Sequence, residues 1–329
     1  MISRAKPSRL DTLSAASRSQ IPTGGVSSAG VETVKAMLRS KRTEILAASM
    51  LMAPFVVTYG VLFIYPTIKM AQLSLTNAPL IGPGKWVGFD NYFRLASDRL
   101  FSVAIWNTLY FVILSVIPST LIGLLVALGV NRLKGWLQSV VLAAFFLPYV
   151  LPVSVVFRIW QWMCDKDFGI AQRAVQLFND GQRLSIFRTI PLFMPAVAIV
   201  TIWWLIGFNV LLFIAGLRNI SSEIYEAAEL DGAGRWTQFR RITWPLIWPV
   251  TVLVFTIQLI LQLKIFDQVY LFSQGGRVDT TIVMVEYILK QAFQMNKGGL
   301  AAAASMVLFV LIAALSVLQF QLLRARGER

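Results

Sequence analysis

Histidine is absent from this chain of 329 residues, and cysteine occurs once, as Cys164. Without histidine, the commonest metal ligand and the side chain that titrates near neutral pH are both missing. A single cysteine cannot form a disulfide within the chain, and we interpret Cys164 as a small buried or interfacial apolar side chain. We therefore predict no catalytic residue, no metal site and no cofactor, and a membrane-embedded enzyme is disfavoured.

Charge is also scarce, because charged residues make up only 14% of the chain, whereas soluble domains have about 25%. Hydrophobic residues make up 57%. A globule of this size could not cover itself with polar surface, so lipid must be the solvent for much of the chain. The net charge of +14 would suggest nucleic acid in a soluble protein. Basic residues beside membrane spans explain it better, and no nucleic-acid partner is predicted.

The chain contains several long apolar runs. Six of them reach the length of about 20 residues that a membrane-crossing helix needs, which predicts an all-α protein with six transmembrane helices in one domain over 45–323. Residues 1–44 form a basic tail rich in Ser, Ala and Gly, which we expect to be disordered, and 324–329 form a C-terminal tail. The predicted spans are 45–68, 106–130, 138–160, 191–217, 246–263 and 299–323.

Basic residues predict the orientation, since Lys and Arg accumulate on the cytoplasmic side of membrane proteins. They are concentrated in the N-terminal tail, in the short connection 131–137 and in the polar segment 218–245. These three regions lie on one side of the membrane if the chain crosses it six times. We therefore expect both termini and the 218–245 segment to be cytoplasmic.

Within that segment, residues 226–245 form an unusual polar run, EAAELDGAGRWTQFRRITWP, between two apolar spans. We predict a short helix over 221–231. Ser221 or Ser222 can cap its start, because a hydroxyl accepts from the free backbone N–H groups of a first turn. Gly232 is expected to end the helix, because glycine readily adopts the backbone conformation found there.

A second short amphipathic piece is predicted after Gly232, with Trp236 and Phe239 on one face. Pro245 is expected to begin the next span, since proline suits a first helical turn. Ala227 and Ala228 allow another chain to approach the first helix closely. Two short helices that meet at small residues suit the docking of a soluble partner, and a helix–loop–helix lying on the membrane surface fits the pattern equally well.

The spacing of this run resembles the EAA loop, the cytoplasmic signature through which ABC importer permeases dock on their ATPase. Glu-Ala-Ala at 226–228 is followed by Gly232, Ile242 and Pro245, and Trp244 stands where leucine is more usual. Further stretches resemble the carbohydrate-uptake, maltose-type branch of these permeases, with Gly275, Gly276 and Thr280 at matching positions. Those stretches are FIYPTIKMAQLSL (63–75), WVGFDNYFRL (86–95), GFNVLLFIAGLRNISSEIYEAAELDGA (207–233) and FDQVYLFSQGGRVDTTIVMVEYILKQAF (266–293).

The resemblance implies a type I ABC importer permease in a bacterial inner membrane. Its implied partners are a second related permease, two copies of a cytoplasmic ATPase and an external solute-binding protein. ATP hydrolysis would lie on the ATPase, and the chain itself lacks the GxxxxGK[ST] phosphate loop. The solute would be a sugar or sugar derivative, with a polyol or glycerol phosphate still open. The resemblance assigns ATPase docking to Glu226, Ala227, Ala228, Asp231, Gly232, Ala233, Trp236 and Phe239.

Polar side chains inside the spans are candidates for lining a pathway. Thr251, Gln258 and Gln262 share one face of the fifth predicted span, and Asn209 lies in the fourth beside aromatic residues. Amides and hydroxyls could pair with sugar hydroxyls, or they could join helices by hydrogen bonds. An ion-coupled secondary transporter is the alternative function, but it needs carboxylates or histidines near the membrane centre, and the six spans show none there. We expect Arg158, near a span end, to reach the membrane surface.

Overall fold

A computed structural model describes residues 48–171, 173, 176, 186, 187, 189–273 and 279–327, the last six of them by backbone alone. The predicted tail 1–44 and the residues Gly275 and Gly276 lie outside this part of the chain. Its helices are α1 (Ala48–Leu73), α2 (Asp90–Ser97), α3 (Arg99–Val130), α4 (Gly135–Val150), α5 (Val153–Met163), α6 (Ile190–Arg218), α7 (Ser222–Leu230), α8 (Arg235–Leu263), α9 (Asp267–Phe272), α10 (Met284–Leu289) and α11 (Gly298–Gly327).

The all-α membrane architecture predicted from the apolar runs is confirmed. Five of the described helices, α1, α3, α6, α8 and α11, are long and apolar enough to cross a membrane. The part of α1 up to Pro66 belongs to one compact unit, and residues 67–329 form another. The apolar window of α1 has none of its residues buried, and the rings of Phe55, Tyr59 and Phe63 stack in sequence along it. Such a surface suits lipid or another membrane helix.

The third predicted span, 138–160, is not a single straight helix. Helices α4 and α5 meet at an angle of 98°, and they count as a sixth crossing only if the bent pair forms one broken span. Pro152 explains the break, because proline lacks an N–H group and disfavours helical backbone at the residue before it. Leu151 is accordingly extended, with φ −71° and ψ 140°.

Pro245 lies in the first turn of the α-helical segment Trp244–Leu263, as expected, but helical backbone precedes it, because α8 runs without interruption from Arg235 to Leu263. A π-helical turn covers Phe239–Thr243, and the N–H group of Trp244 donates to the carbonyl of Phe239. A proline ring crowds the carbonyl four residues before it in an α-helix, and the wider π turn relieves that crowding. The second amphipathic piece is therefore the first part of a membrane helix.

Helices α3, α4, α6 and α8 pack closely because small residues lie where they meet. A Cβ atom on Gly123 of α3 would lie 2.8 Å from Cβ of Asn209 on α6, and one on Gly207 of α6 would overlap the backbone of Phe145 on α4. Buried Phe213 and Ile247 fill the space between α6 and α8. This packing places the polar residues of α3, α6 and α8 side by side.

Candidate functional site

Helix α7 and the turn after it are built by local hydrogen bonds. Ser221 caps the helix, since its hydroxyl oxygen accepts from the N–H of Glu223 at 3.3 Å. At the other end the N–H of Gly232 donates to the carbonyl of Glu229 at 3.0 Å, and the N–H of Ala233 donates to that of Ala228 at 2.8 Å. This pair of bonds is a Schellman motif, which closes a helix through a residue of left-handed conformation.

Gly232 supplies that conformation, with φ +76°. For a residue with a side chain this region costs about 1–2 kcal/mol, although no atom lies within 4 Å of the place that a Cβ of Gly232 would occupy. Gly234, two residues later, has φ −66°, which any residue can adopt. The prediction that Gly232 ends the first helix is confirmed.

The surface around this turn is apolar and open. Leu230 is 90% exposed and Trp236 is 72% exposed, and the ring of Trp236 stacks on that of Phe239 with centroids 5.6 Å apart. The sequence analysis did not include Leu230 among the docking residues. Its apolar side chain, two residues before the helix-ending Gly232, could have indicated an exposed apolar contact. Of those predicted, Glu226, Ala227, Asp231, Gly232 and Trp236 are exposed, and Ala228, Ala233 and Phe239 are partly buried.

Side chains join the docking turn, which we define as residues 221–239, to the membrane helices. The hydroxyl of Tyr225 on α7 lies 2.9 Å from that of Thr243 in the π turn of α8. Just before the turn, Arg218 donates to Oε1 of Gln138 on α4 at 3.0 Å, and Nε2 of Gln138 donates to the carbonyl of Val130 on α3 at 3.2 Å. The turn is therefore tied to the ends of several helices.

Three of the four predicted pathway residues form a buried chain of amides. Nε2 of Gln258 donates to Oδ1 of Asn209 at 2.6 Å, and Nε2 of Gln262 donates to Oε1 of Gln258 at 3.2 Å. Asn209 in turn donates to the carbonyl of Ser119 on α3 at 3.2 Å. The three amides are buried and join α3, α6 and α8. This geometry matches the alternative that the amides join helices by hydrogen bonds. Their role in lining a pathway stays a prediction.

Thr251, the fourth predicted residue, lies apart from the amide chain. Its hydroxyl donates to the carbonyl of Ile247 on its own helix at 3.1 Å. It lines a mainly apolar groove of about 460 Å³ between α3, α8 and α11, together with Trp248 and Phe255.

One buried carboxylate, Glu286 of α10, was missed by the sequence analysis. It is 6% exposed, and its Oε2 atom is buried without a hydrogen-bond partner among the described residues. Burial raises the pKa of Glu286 from 4.5 to about 7, while a hydrogen bond from the backbone of Val283 and the charge of Lys290 oppose the rise. A single glutamate among the apolar residues of IVMVEYIL (282–289) could have indicated a buried carboxylate.

Cys164 is buried, as predicted, and burial raises the pKa of its thiol to about 11, so it is mostly protonated at neutral pH. Among the residues that the structure describes, no group of three Cys, Asp or Glu side chains could hold a metal ion.

Comparison with known proteins gives concordant matches. Residues 119–326 match the model of the family described as binding-protein-dependent transport system inner membrane component. The chain is 32% identical over 303 residues to the inner membrane ABC transporter permease protein YcjO of Escherichia coli (strain K12), which covers 89% of this chain and 99% of that protein.

It is also 30% identical over 276 residues to the arabinooligosaccharides transport system permease protein AraP of Bacillus subtilis (strain 168), with 82% of this chain and 86% of that protein covered. A crystal structure of a bacterial ABC transporter involved in the import of the acidic polysaccharide alginate has a chain of the same fold. The TM-score is 0.76 at 23% identity, and the match covers 88% of this chain and 99% of that one.

Proposed function

We propose, on the premise that the chain belongs to the family of binding-protein-dependent transport system inner membrane components, that it is the permease subunit of an ATP-driven sugar importer. It would form half of a translocation pathway with a second, related permease. Two copies of a cytoplasmic ATPase would supply the energy, and an external binding protein would deliver the sugar. The chain itself performs no chemistry in this proposal.

The docking turn is the observation that carries the proposal. Its exposed apolar residues, Leu230 and Trp236, have the character of a protein-binding surface, because exposed apolar patches mark such sites. The Schellman motif at Gly232 holds this surface in one shape without a partner, and a preformed surface loses less entropy on binding. A cytoplasmic ATPase is the partner that the EAA spacing implies.

The continuity of α8 suggests how docking drives transport. Trp236 belongs to the same helix as Gln258 and Gln262, so a push on the docking turn moves the fifth span as one element. The contact between Tyr225 and Thr243 joins α7 to that helix. ATP-driven closure of the ATPase pair would in this way rock the spans between inward-facing and outward-facing states.

The sugar class is supported by the similarity to a permease whose name specifies arabinooligosaccharides and by the polar residues of α6 and α8. We include Asn209, Thr251, Gln258 and Gln262 in the proposed pathway. The amide chain can open toward a sugar only if sugar hydroxyls replace the hydrogen bonds between Gln258, Gln262 and Asn209. Such an exchange keeps each amide hydrogen-bonded, because a hydroxyl group both donates and accepts.

Two glycine substitutions test the docking proposal. Gly232→Ala forces a side chain into the left-handed region, at a cost of about 1–2 kcal/mol, which corresponds to roughly five- to thirtyfold weaker association with the ATPase. Gly234→Ala is the matched control, since both sites have space for a methyl group and only the backbone conformation differs. The measurement is co-purification of the ATPase from membranes that contain equal amounts of each variant.

ATPase binding by Gly232→Ala at the strength of the Gly234→Ala control would contradict the docking role. ATP-dependent uptake of a neutral sugar such as maltose or an arabinose oligosaccharide, by proteoliposomes that contain the importer and its binding protein, tests the transport role directly.

A further inference from the structure

Helix α5 presents one mixed polar and aromatic face to a cleft. Ser154, Arg158 and Trp162 are spaced four residues apart, which places them on one side of the helix. They line a cleft of about 390 Å³ that Leu271 of α9 closes at its edge. A volume of this size lies within the range of small-molecule sites, about 300–1,000 Å³.

The guanidinium group of Arg158 is exposed at this cleft and has a hydrogen-bond partner on its own helix. Nη1 of Arg158 donates to Oε1 of Gln161 at 3.1 Å, and Nε2 of Gln161 donates to the carbonyl of Leu271 on α9 at 2.8 Å. An arginine that only extends toward the membrane surface needs no second helix to orient it. The relay through Gln161 links Arg158 to α9 and leaves its other N–H groups available to an anion.

The charge of Arg158 is not neutralised within the described part of the chain, where no carboxylate lies within 4.0 Å of it. The two acids that follow it most closely in sequence have other partners. Asp165 accepts from the N–H of Asp167 at 2.9 Å, and Asp167 pairs with Lys166 at 3.8 Å. An accessible guanidinium that lacks a carboxylate is suited to an anionic ligand.

The lining of the cleft combines a buried phenylalanine with an exposed tryptophan. Phe157 is 1% exposed and packs edge-on against Phe272 of α9 with ring centroids 4.5 Å apart. Trp162 is 67% exposed. An indole ring combines a large apolar face with a polar edge, so it can cover the apolar face of a sugar ring while hydroxyl groups bond to Ser154 and Arg158.

We propose that this cleft binds an anionic saccharide, with the acid group on Arg158 and a sugar ring on Trp162, as it passes from the binding protein to the spans. In the predicted orientation α4 begins on the cytoplasmic side, so α5 lies toward the outside, where the sugar arrives. The inference rests on the proposed sugar importer and narrows its substrate to sugars that carry a carboxylate or a comparable acid group.

The test measures the binding of two ligands to the assembled importer in phosphatidylcholine nanodiscs by saturation-transfer NMR. Digalacturonate carries two carboxylates, and its dimethyl ester is neutral and nearly isosteric. The unmodified importer is expected to bind the acid at least tenfold more tightly, because hydrogen bonds to charged groups contribute about 1.5–3 kcal/mol. Arg158→Gln is expected to abolish that preference, whereas Arg132→Gln, which changes an exposed arginine in another connection, keeps it.

Equal binding of the acid and the ester, or a preference that survives in Arg158→Gln, overturns the inference. A third arm replaces phosphatidylcholine by phosphatidylglycerol. Loss of digalacturonate binding there, at an ionic strength that screens the surface charge of the membrane, would assign the cleft to an anionic lipid headgroup and also overturn the inference. ATP-driven uptake of neutral sugars without any preference for the acid leaves the proposed importer intact and removes only the inference. Failure of all sugar uptake, together with failure of ATPase docking, removes both.

Discussion

Asn209, Gln258 and Gln262 satisfy one another's hydrogen bonds in an interior that offers few other polar partners. An unpaired amide is costly away from water, so these three residues fix how α6 and α8 lie against each other. The same property suits a pathway, because each amide keeps a polar group ready for a hydroxyl of the solute. The contribution of these amides to stability and their contribution to transport can therefore be distinguished by measuring both quantities for the same variants.

Leucine substitutions of Gln258 and Gln262 are expected to differ in how much they lower the stability of the protein. Gln258→Leu breaks two hydrogen bonds and leaves the oxygen of Asn209 without its donor, whereas Gln262→Leu breaks one. We expect a loss of about 1–2 kcal/mol for Gln258→Leu and less for Gln262→Leu, measured as thermal midpoints in detergent. Ser305→Ala, which loses only a bond to Ala301 within its own helix, is the control. If both glutamine variants keep the sugar uptake kinetics of the unmodified importer, they are packing residues and line no pathway.

The raised pKa of Glu286 predicts how the stability of the protein depends on pH. Its folded pKa of about 7 lies above its ordinary value of 4.5, so the folded state binds more protons than the unfolded state between these values. The contribution of Glu286 to stability is therefore fully present below about pH 4.5 and is lost as pH rises toward about 7. Glu286→Gln should raise the thermal midpoint at pH 8 and change it little at pH 4.5. Glu229→Gln removes an exposed carboxylate instead, and the hypothesis fails if both variants show the same pH profile.

At the scale of elements, α8 contains both the second part of the proposed docking turn and a membrane span. An aromatic series continues from Phe239 through Trp244 to Trp248, with ring centroids 6.3 and 5.4 Å apart, across the π turn and Pro245. Helical backbone continues through the π turn and Pro245. A helix without a break transmits a displacement along its length, which a flexible connection would absorb.

Close helix packing is expected to depend on individual glycines. Gly207→Ala places a methyl group against backbone atoms of Phe145 and Phe146, and such overpacking costs about 1–3 kcal/mol. Gly129→Ala in α3 meets no atom within 4 Å, and alanine is the better helix former by about 0.5–1 kcal/mol. The two variants should therefore shift the thermal midpoint in opposite directions. Equal shifts would show that α4 and α6 do not approach as closely as described.

At the scale of the whole molecule, the orientation in the membrane connects the proposals. A cytoplasmic docking turn requires that the 131–137 connection lies on the same side and that the residues after α1 lie outside. The positive-inside rule predicts this arrangement. It also places the α5 cleft toward the outside, where a binding protein would deliver its sugar.

A labelling experiment checks the orientation in a variant whose only native cysteine is removed by Cys164→Ala. Ile81→Cys, at a position that is 89% exposed, should react with a membrane-impermeant maleimide in intact spheroplasts. Thr237→Cys, exposed in the docking turn, should react only in inside-out vesicles. The reverse pattern would invert the topology and exclude docking of a cytoplasmic ATPase.

Local features could be predicted from the sequence because they depend on residues that are close in the chain. The spans follow from apolar runs, the start of α7 from Ser221 and its end from Gly232. The bend at Pro152 and the continuity of α8 through Pro245 could not be predicted, because a proline in an apolar run is compatible with a kink, a break or a helix start. Neighbouring turns and packing select among these outcomes.

The sequence by itself determined that this protein lies in lipid, that its structure is helical and that a polar run follows the fourth predicted span. Composition and short-range hydrogen bonding suffice for those features. Only the tertiary structure decided that Asn209 meets Gln258, that Glu286 is buried, and that Gln161 reaches α9 to orient Arg158. These contacts join residues that are far apart in the chain, and the close packing of separate helices alone brings them together.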